Sequence, residues 1–311
     1  MIETVVSIGL AVDEKMIIKK NRLQPANLKG NEKRICVVTG IHGDELEGQY
    51  VCYEITKKIS ENIQFLNGIV DIYPALNPLG IDSVHRGMPT FDLDMNRIFP
   101  GSENGAMPEY VAAKIIEDID GSDMCIDLHS SNIFLREIPQ VRISEHMAEK
   151  LVPYAKLLNV DVIWVHPVST VLESTLTYNL NNKNIPTLLV EMGVGMRITK
   201  GYGDQLVDGI FNLMKEMNIW IGKAPVVREP IISTEKEVEF VNAKSSGIFM
   251  PCVGILNMIK KGESMGEILN PLTGKIEEKV ISPCDGIIFT LREYPVVYEG
   301  SLIARVLGGL K

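Results

Sequence analysis

From residue 35 to about residue 220, short aliphatic runs alternate with longer amphipathic ones, and this alternation constrains the fold more than any other feature. Ile35–Thr39, Ile69–Tyr73, Met124–Leu128, Val162–Val165 and Thr187–Val190 read as buried strands. Glu45–Ser60, Pro108–Ile119, Ser144–Leu158, Leu172–Lys183 and Asp204–Met217 carry helical spacing, with Pro108 in a first turn where no N–H is needed. Strand alternating with helix implies an α/β protein, in which a mostly parallel mixed sheet has helices on both faces. The pattern stops near Lys223–Pro230, whose two prolines mark a linker. Beyond it, Val- and Ile-rich runs are punctuated by glycines from Gly247 to Gly300, the spacing of a small all-β barrel or sandwich. The expected domains are 1–229 and 230–311.

Composition removes several classes of function. With 40 acidic against 31 basic residues the net charge is -9, which argues against a nucleic-acid backbone as partner. No stretch approaches the ~18 consecutive apolar residues of a membrane span. The first residues hold Glu3 but no basic residue ahead of the apolar run, so no secretory signal and a cytoplasmic location are expected. Five scattered cysteines without a C-x-x-C pair suit reduced core positions, not a disulfide framework or a thiolate metal site.

Four segments carry chemistry. Gly40-Ile-His-Gly-Asp-Glu follows a buried strand directly, at the sheet edge where open α/β sheets bind ligands. His42 and Glu45 are three apart, and Gly43 between them lets the chain turn so that both side chains converge, an arrangement that suits zinc. A helix N-terminus with Asp44 and Glu45 favoured by the dipole is the plainer reading of that segment alone. Asp127-Leu-His129 ends another strand. His129 is the natural third ligand, and Asp127 lies on the same strand face to fix an imidazole tautomer. Glu191 closes the apolar strand Thr187–Val190, where partial desolvation would raise its pKa toward that of a general base. Last, the irregular stretch His85–Gly101 holds Arg86, Asn96 and Arg97, and an Asn-Arg pair makes a good fork for a carboxylate.

In this order the four segments resemble the succinylglutamate desuccinylase/aspartoacylase family of the zinc carboxypeptidase clan. The resemblance runs over Gly40-Ile-His-Gly-Asp-Glu, Asp94-Met-Asn-Arg-Ile-Phe-Pro-Gly, Asp127-Leu-His and Val190-Glu-Met-Gly, about residues 1–225. It implies a carboxypeptidase-like α/β fold. It also implies one zinc per chain on His42, Glu45 and His129, with Glu191 as the base that activates water. Arg86 would polarise the scissile carbonyl, while Asn96 and Arg97 would hold the substrate's α-carboxylate. Arg136 and Arg142, flanking Ile138-Pro-Gln-Val, are secondary candidates for substrate contacts.

One departure bears on specificity. Aspartoacylases carry an arginine about ten residues before the catalytic Glu, and Leu180–Pro186 contains none. N-acetylaspartate is therefore not the expected substrate; a neutral or basic acylated amino compound is. The C-terminal segments Ile259–Ile268, Ser282–Gly286 and Val297–Ile303 resemble lipoyl and biotinyl domains, but Gly274 rather than an acid precedes Lys275, so no lipoylation is expected. That region would instead cover the mouth of the site or join copies of the chain. The first expectation is thus a zinc amidohydrolase acting on a small N-acylated molecule. A carboxypeptidase acting on peptide or peptidoglycan fragments would use the same residues. A non-catalytic sensor would have no use for Glu191.

Overall fold

The computed structural model describes residues 1–167 and 170–309. It opens with an antiparallel hairpin, β1 (Ile2–Gly9) and β2 (Lys15–Leu23), which the strand–helix spacing does not predict. Six strands then form the centre of a 13-stranded sheet: β3 (Arg34–Thr39), β4 (Ile69–Tyr73), β5 (Met124–Ser130), β6 (Leu135–Ser144), β7 (Val162–His166) and β8 (Thr187–Gly193). Between them lie α1 (Glu47–Glu61), α2 (Pro78–Ser83), α3 (Met107–Ile119), α4 (Ala148–Ala155) and α5 (Leu176–Asn182), and α6 (Lys200–Glu216) follows β8. The expected strands and helices recur, with three corrections. Leu135–Ser144 is a strand where none is expected, the helix expected from Ser144 begins at Ala148, and the one expected from Leu172 begins at Leu176.

Neighbours β4, β3, β5 and β8 pair in parallel, and β6 returns antiparallel to β8. Alternation along β3 shows why both faces are covered. Ile35 and Val37 enter a core with α1, α4 and α6, whereas Cys36 and Val38 enter a second core with α3 and α5.

The C-terminal strands are β9 (Ile231–Thr234), β10 (Val238–Asn242), β11 (Gly247–Pro251), β12 (Met258–Ile259), β13 (Ser264–Asn270), β14 (Lys275–Ile281), β15 (Gly286–Arg292), β16 (Val296–Val297) and β17 (Leu302–Gly308). Four of them make a separate antiparallel sheet in the order β14-β13-β11-β16. The others extend the main sheet: β15 pairs antiparallel with β6, β17 with β15, and β10 with β17, while β9 pairs with β7. Backbone hydrogen bonds therefore run without a break from the strands of residues 34–193 into the C-terminal region. Among the described residues no helix is long and apolar enough to cross a membrane.

Candidate active site

The C-terminal ends of β3, β5 and β8 lie side by side and deliver the chemistry. His42 and Glu45 sit in the loop after β3, His129 is near the end of β5, and Glu191 is its direct register partner on β8. Leu188, Val190 and Met192 fill the core on one side of β8, so Glu191 is turned to the other. The tight turn of the first loop falls at Gly40, with φ +71°, and not at Gly43. Gly43 is required for space instead, since a Cβ there would stand 2.0 Å from the backbone of Gly80 in α2.

His42, Glu45 and His129 are buried, and their ligand atoms lie within 4.8 Å of one another. His42 Nδ1 is 2.8 Å from Glu45 Oε1, His129 Nδ1 is 3.0 Å from Glu45 Oε2, and the two Nδ1 atoms are 3.2 Å apart. The opposite ring nitrogens face acids: His42 Nε2 is 3.0 Å from Asp94 Oδ1, and His129 Nε2 is 3.2 Å from Asp127 Oδ1. The second contact is a close approach too poorly aligned to count as a hydrogen bond. Those acids assign the neutral-imidazole proton to Nε2 on both rings, which leaves two Nδ1 lone pairs and a carboxylate facing one point. Three acceptors without a donor among them call for a cation, and this donor set fits a metal ion.

The same demand for positive charge shows in the proton affinities. Burial opposes charge on His42 and His129, but Glu45 and Asp94 on the first, and Asp127 and Glu45 on the second, outweigh it and raise both above the ordinary imidazole value. Burial would raise Glu45, yet the two imidazoles hold it far below the usual carboxylate range. His42 holds Asp94 down at about 2 against the effect of burial. Asp94 lies in the His85–Gly101 stretch, two residues before the Asn-Arg pair, and sequence reasoning passes over it. Asp127 is itself fixed by Thr177 Oγ1, which donates to Oδ2 at 2.8 Å.

The remaining expected residues divide into two groups. Arg86 Nη1 donates to Glu45 Oε1 at 2.6 Å, so its guanidinium stands at the ligand cluster. Asn96 accepts from the Leu176 N–H at the start of α5 (2.9 Å) through Oδ1, which commits that oxygen and frees the amide N–H groups. Arg97 is steered by the Asn96 carbonyl at 2.8 Å, and Arg86, Asn96 and Arg97 all line the same cavity as the His/Glu/His group, of about 790 Å³. Arg142 lines it too, with Nη1 3.3 Å from Glu191 Oε1 and Nη2 2.7 Å from Glu137 Oε2. Arg136 does not: it pairs with Glu293 at 3.0 Å and donates to Thr199, away from the cavity wall. Burial pushes the Glu191 carboxyl up to about 7, against the pull of the Arg142 guanidinium and with the Glu137 charge adding to the rise.

Over residues 31–217 the chain matches the model of the succinylglutamate desuccinylase/aspartoacylase catalytic domain. The chain belongs to this family. A stretch of 115 residues is 30% identical to the N-alpha-acetyl-L-2,4-diaminobutyric acid deacetylase of Halomonas elongata, covering 36% of this chain and 32% of that protein. The match thus spans about a third of the relative's length. The product-bound ectoine utilization protein EutE (DoeB) of Ruegeria pomeroyi superposes with a TM-score of 0.83 at 17% identity, over 98% of this chain and 94% of that one. A succinylglutamate desuccinylase/aspartoacylase from Rhodobacter sphaeroides gives 0.81 at 20% identity, over 100% and 96%. At such identities the likeness is one of fold, and it extends through the C-terminal strands as well as the matched catalytic domain.

Proposed function

We propose that the chain is a zinc-dependent amidohydrolase that removes an acyl group from the nitrogen of an amino acid or related small molecule. The carrying observation is one cavity that combines a cation-seeking His42/Glu45/His129 set with a carboxylate, Glu191, that burial pushes up to about 7. A zinc ion on those three side chains would supply Lewis acidity, polarising a carbonyl and making a nearby water acidic near neutral pH. The names of the relatives support deacylation over peptide cleavage.

Each remaining residue has a role that follows from its contacts. Glu191 takes a proton from water on a carboxylate oxygen and returns it to the leaving nitrogen; a group titrating near 7 can do both at neutral pH. Arg142 meets Oε1 of Glu191, which leaves Oε2 for that transfer. Arg86, beside the ligand cluster, stabilises the negative oxygen that develops as the carbonyl becomes tetrahedral. Asn96 and Arg97 hold the substrate's α-carboxylate, so that binding energy serves orientation.

Helix α5 brings no guanidinium to the cavity. Thr177, Tyr178 and Asn181 line it, while Lys183 turns outward to within 3.9 Å of Asp120. N-acetyl derivatives of neutral or basic amino acids should therefore be hydrolysed faster than N-acetylaspartate, in keeping with the basic side chain in the Halomonas enzyme's name. A panel of N-acyl amino acids, their carboxamides, and dipeptides tests the reading. N-acetylaspartate as the best substrate, or dipeptides cleaved faster than N-acyl amino acids, would refute it. Arg97→Ala should raise KM strongly with a smaller effect on kcat, the pattern of lost uniform binding. Carboxamides that turn over as fast as free acids would take Asn96 and Arg97 out of substrate binding.

A further inference from the structure

A charged chain runs from the C-terminal strands to the base. Glu137 pairs with Gly193, and Gln140 with Glu191, so β6 takes three steps where β8 takes two. One extra residue is therefore inserted at Ile138–Pro139, where a proline without an N–H is tolerated. Residues five apart on a regular strand face opposite sides. The insertion brings Glu137 and Arg142 to the same side, where Arg142 Nη2 reaches Glu137 Oε2 at 2.7 Å. On its other flank Glu137 is the register partner of Thr290 on β15, and Thr290 is the register partner of Arg305 on β17. Arg305 Nη1 donates to Glu137 Oε1, and Glu137 is 1% exposed. Both guanidinium carbons lie over the Trp164 ring, 5.5 Å away for Arg142 and 5.4 Å for Arg305.

We propose that Arg305 is a positioning residue for Glu191, acting through Glu137 and Arg142, so that the C-terminal strands orient the base of the hydrolase as well as flank its cavity. This rests on the hydrolase reading above. The cause is competition for one guanidinium. Glu137 gives one oxygen to each arginine. Without Arg305, Oε1 keeps only the Thr290 hydroxyl at 3.4 Å, and the Arg142 fork, already on Oε2, can engage both oxygens together, the geometry that guanidinium and carboxylate prefer. Arg142 then leaves Glu191 Oε1, and the base loses its fixed orientation.

Kinetics on the best substrate of the panel, with metal-replete protein, test the linkage. Arg305→Met should lower kcat roughly tenfold, within the range that networked residues show, with little change in KM. Arg305→Lys, which keeps a cation on Glu137, should recover most of that loss. In a Glu191→Gln background the Arg305→Met change should add almost nothing. An equal loss in both backgrounds, or a loss confined to KM, would overturn the proposal. Should Arg305→Met fail to fold, Arg305→Lys carries the same two-background comparison with a smaller expected effect. Thermal melting of the metal-free variants separates this proposal from the hydrolase reading. If the wild-type chain hydrolyses nothing on the panel, that reading falls, and the linkage is judged by melting alone. Non-additive shifts for Arg305→Met and Glu191→Gln that disappear when Arg142→Lys keeps the charge but removes the fork support it; additive shifts, or non-additivity that survives Arg142→Lys, overturn it.

Discussion

Glu191→Gln should keep its metal and lose ~10²–10⁴-fold in kcat, the usual cost of removing a general base. The amide keeps the size of the side chain and its place beside Arg142, so the ligand cluster on β5 and the loop after β3 is untouched. Activity of the wild type should fall as pH drops through the protonation of Glu191, at or below about 7 because a bound cation favours the carboxylate. That limb should be missing from whatever turnover the variant retains. Stability should move the other way in protein stripped of metal with a chelator. The folded pKa of about 7 lies above the ordinary carboxylate value of 4.5, so folding disfavours the charged form. Its destabilisation is absent below pH 4.5, grows as pH rises, and is complete above 7, where it amounts to about 3 kcal/mol. Glu191→Gln should therefore melt higher than wild type at pH 8, and the difference should vanish near pH 4.5. Near-normal kcat in the metal-replete variant would remove Glu191 from the reaction. A variant that melts below wild type at pH 8 would show instead that Arg142 needs the charge more than burial resists it.

How far the sequence revealed the site follows from where polar residues fall against an apolar background. His129 and Glu191 stand out because each ends a strand of aliphatic residues, and His42 and Glu45 because they follow one directly. The parallel sheet was legible for the same reason: strands buried on both faces read as continuous apolar runs. Strand β6 lacks that background. Arg136, Glu137, Gln140 and Arg142 break its hydrophobic run and Pro139 interrupts it, so no strand stands out there. Glu137 and Arg142 are tolerated in the interior because the inserted residue aims them at each other, and Glu137 meets Arg305 as well. Arg305 is a lone charge in an apolar strand, Leu302–Gly308, an anomaly visible in the sequence whose partner only the register of three strands supplies. The opening hairpin escapes notice in a similar way. Lys20 looks like a surface residue, yet it is 4% exposed and paired with Asp118 at 2.8 Å.

His129→Ala should abolish stoichiometric zinc binding and, with it, turnover. The wild-type chain is expected to hold about one zinc, and the alanine leaves only His42 and Glu45, too few donors for a catalytic site of three protein ligands. Asp94→Asn provides an intermediate step. It weakens the acceptor that fixes the His42 tautomer without removing a ligand, and losses of such partners typically cost 10–100-fold in metal affinity or activity. His146→Ala is the control, since this histidine also lines the cavity but lies outside the ligand group. Its zinc content should match wild type. Melting temperature gives an independent readout, because a ligand bound only by the folded state stabilises in proportion to the logarithm of its concentration over Kd. Added zinc should raise the melting temperature of stripped wild type strongly, of Asp94→Asn less, and of His129→Ala hardly at all. Equal zinc content in His129→Ala and wild type would break the ligand assignment. Zinc lost equally from His146→Ala would move the metal away from the convergence of His42, Glu45 and His129, and the role given to Glu191 would have no acidic water to act on.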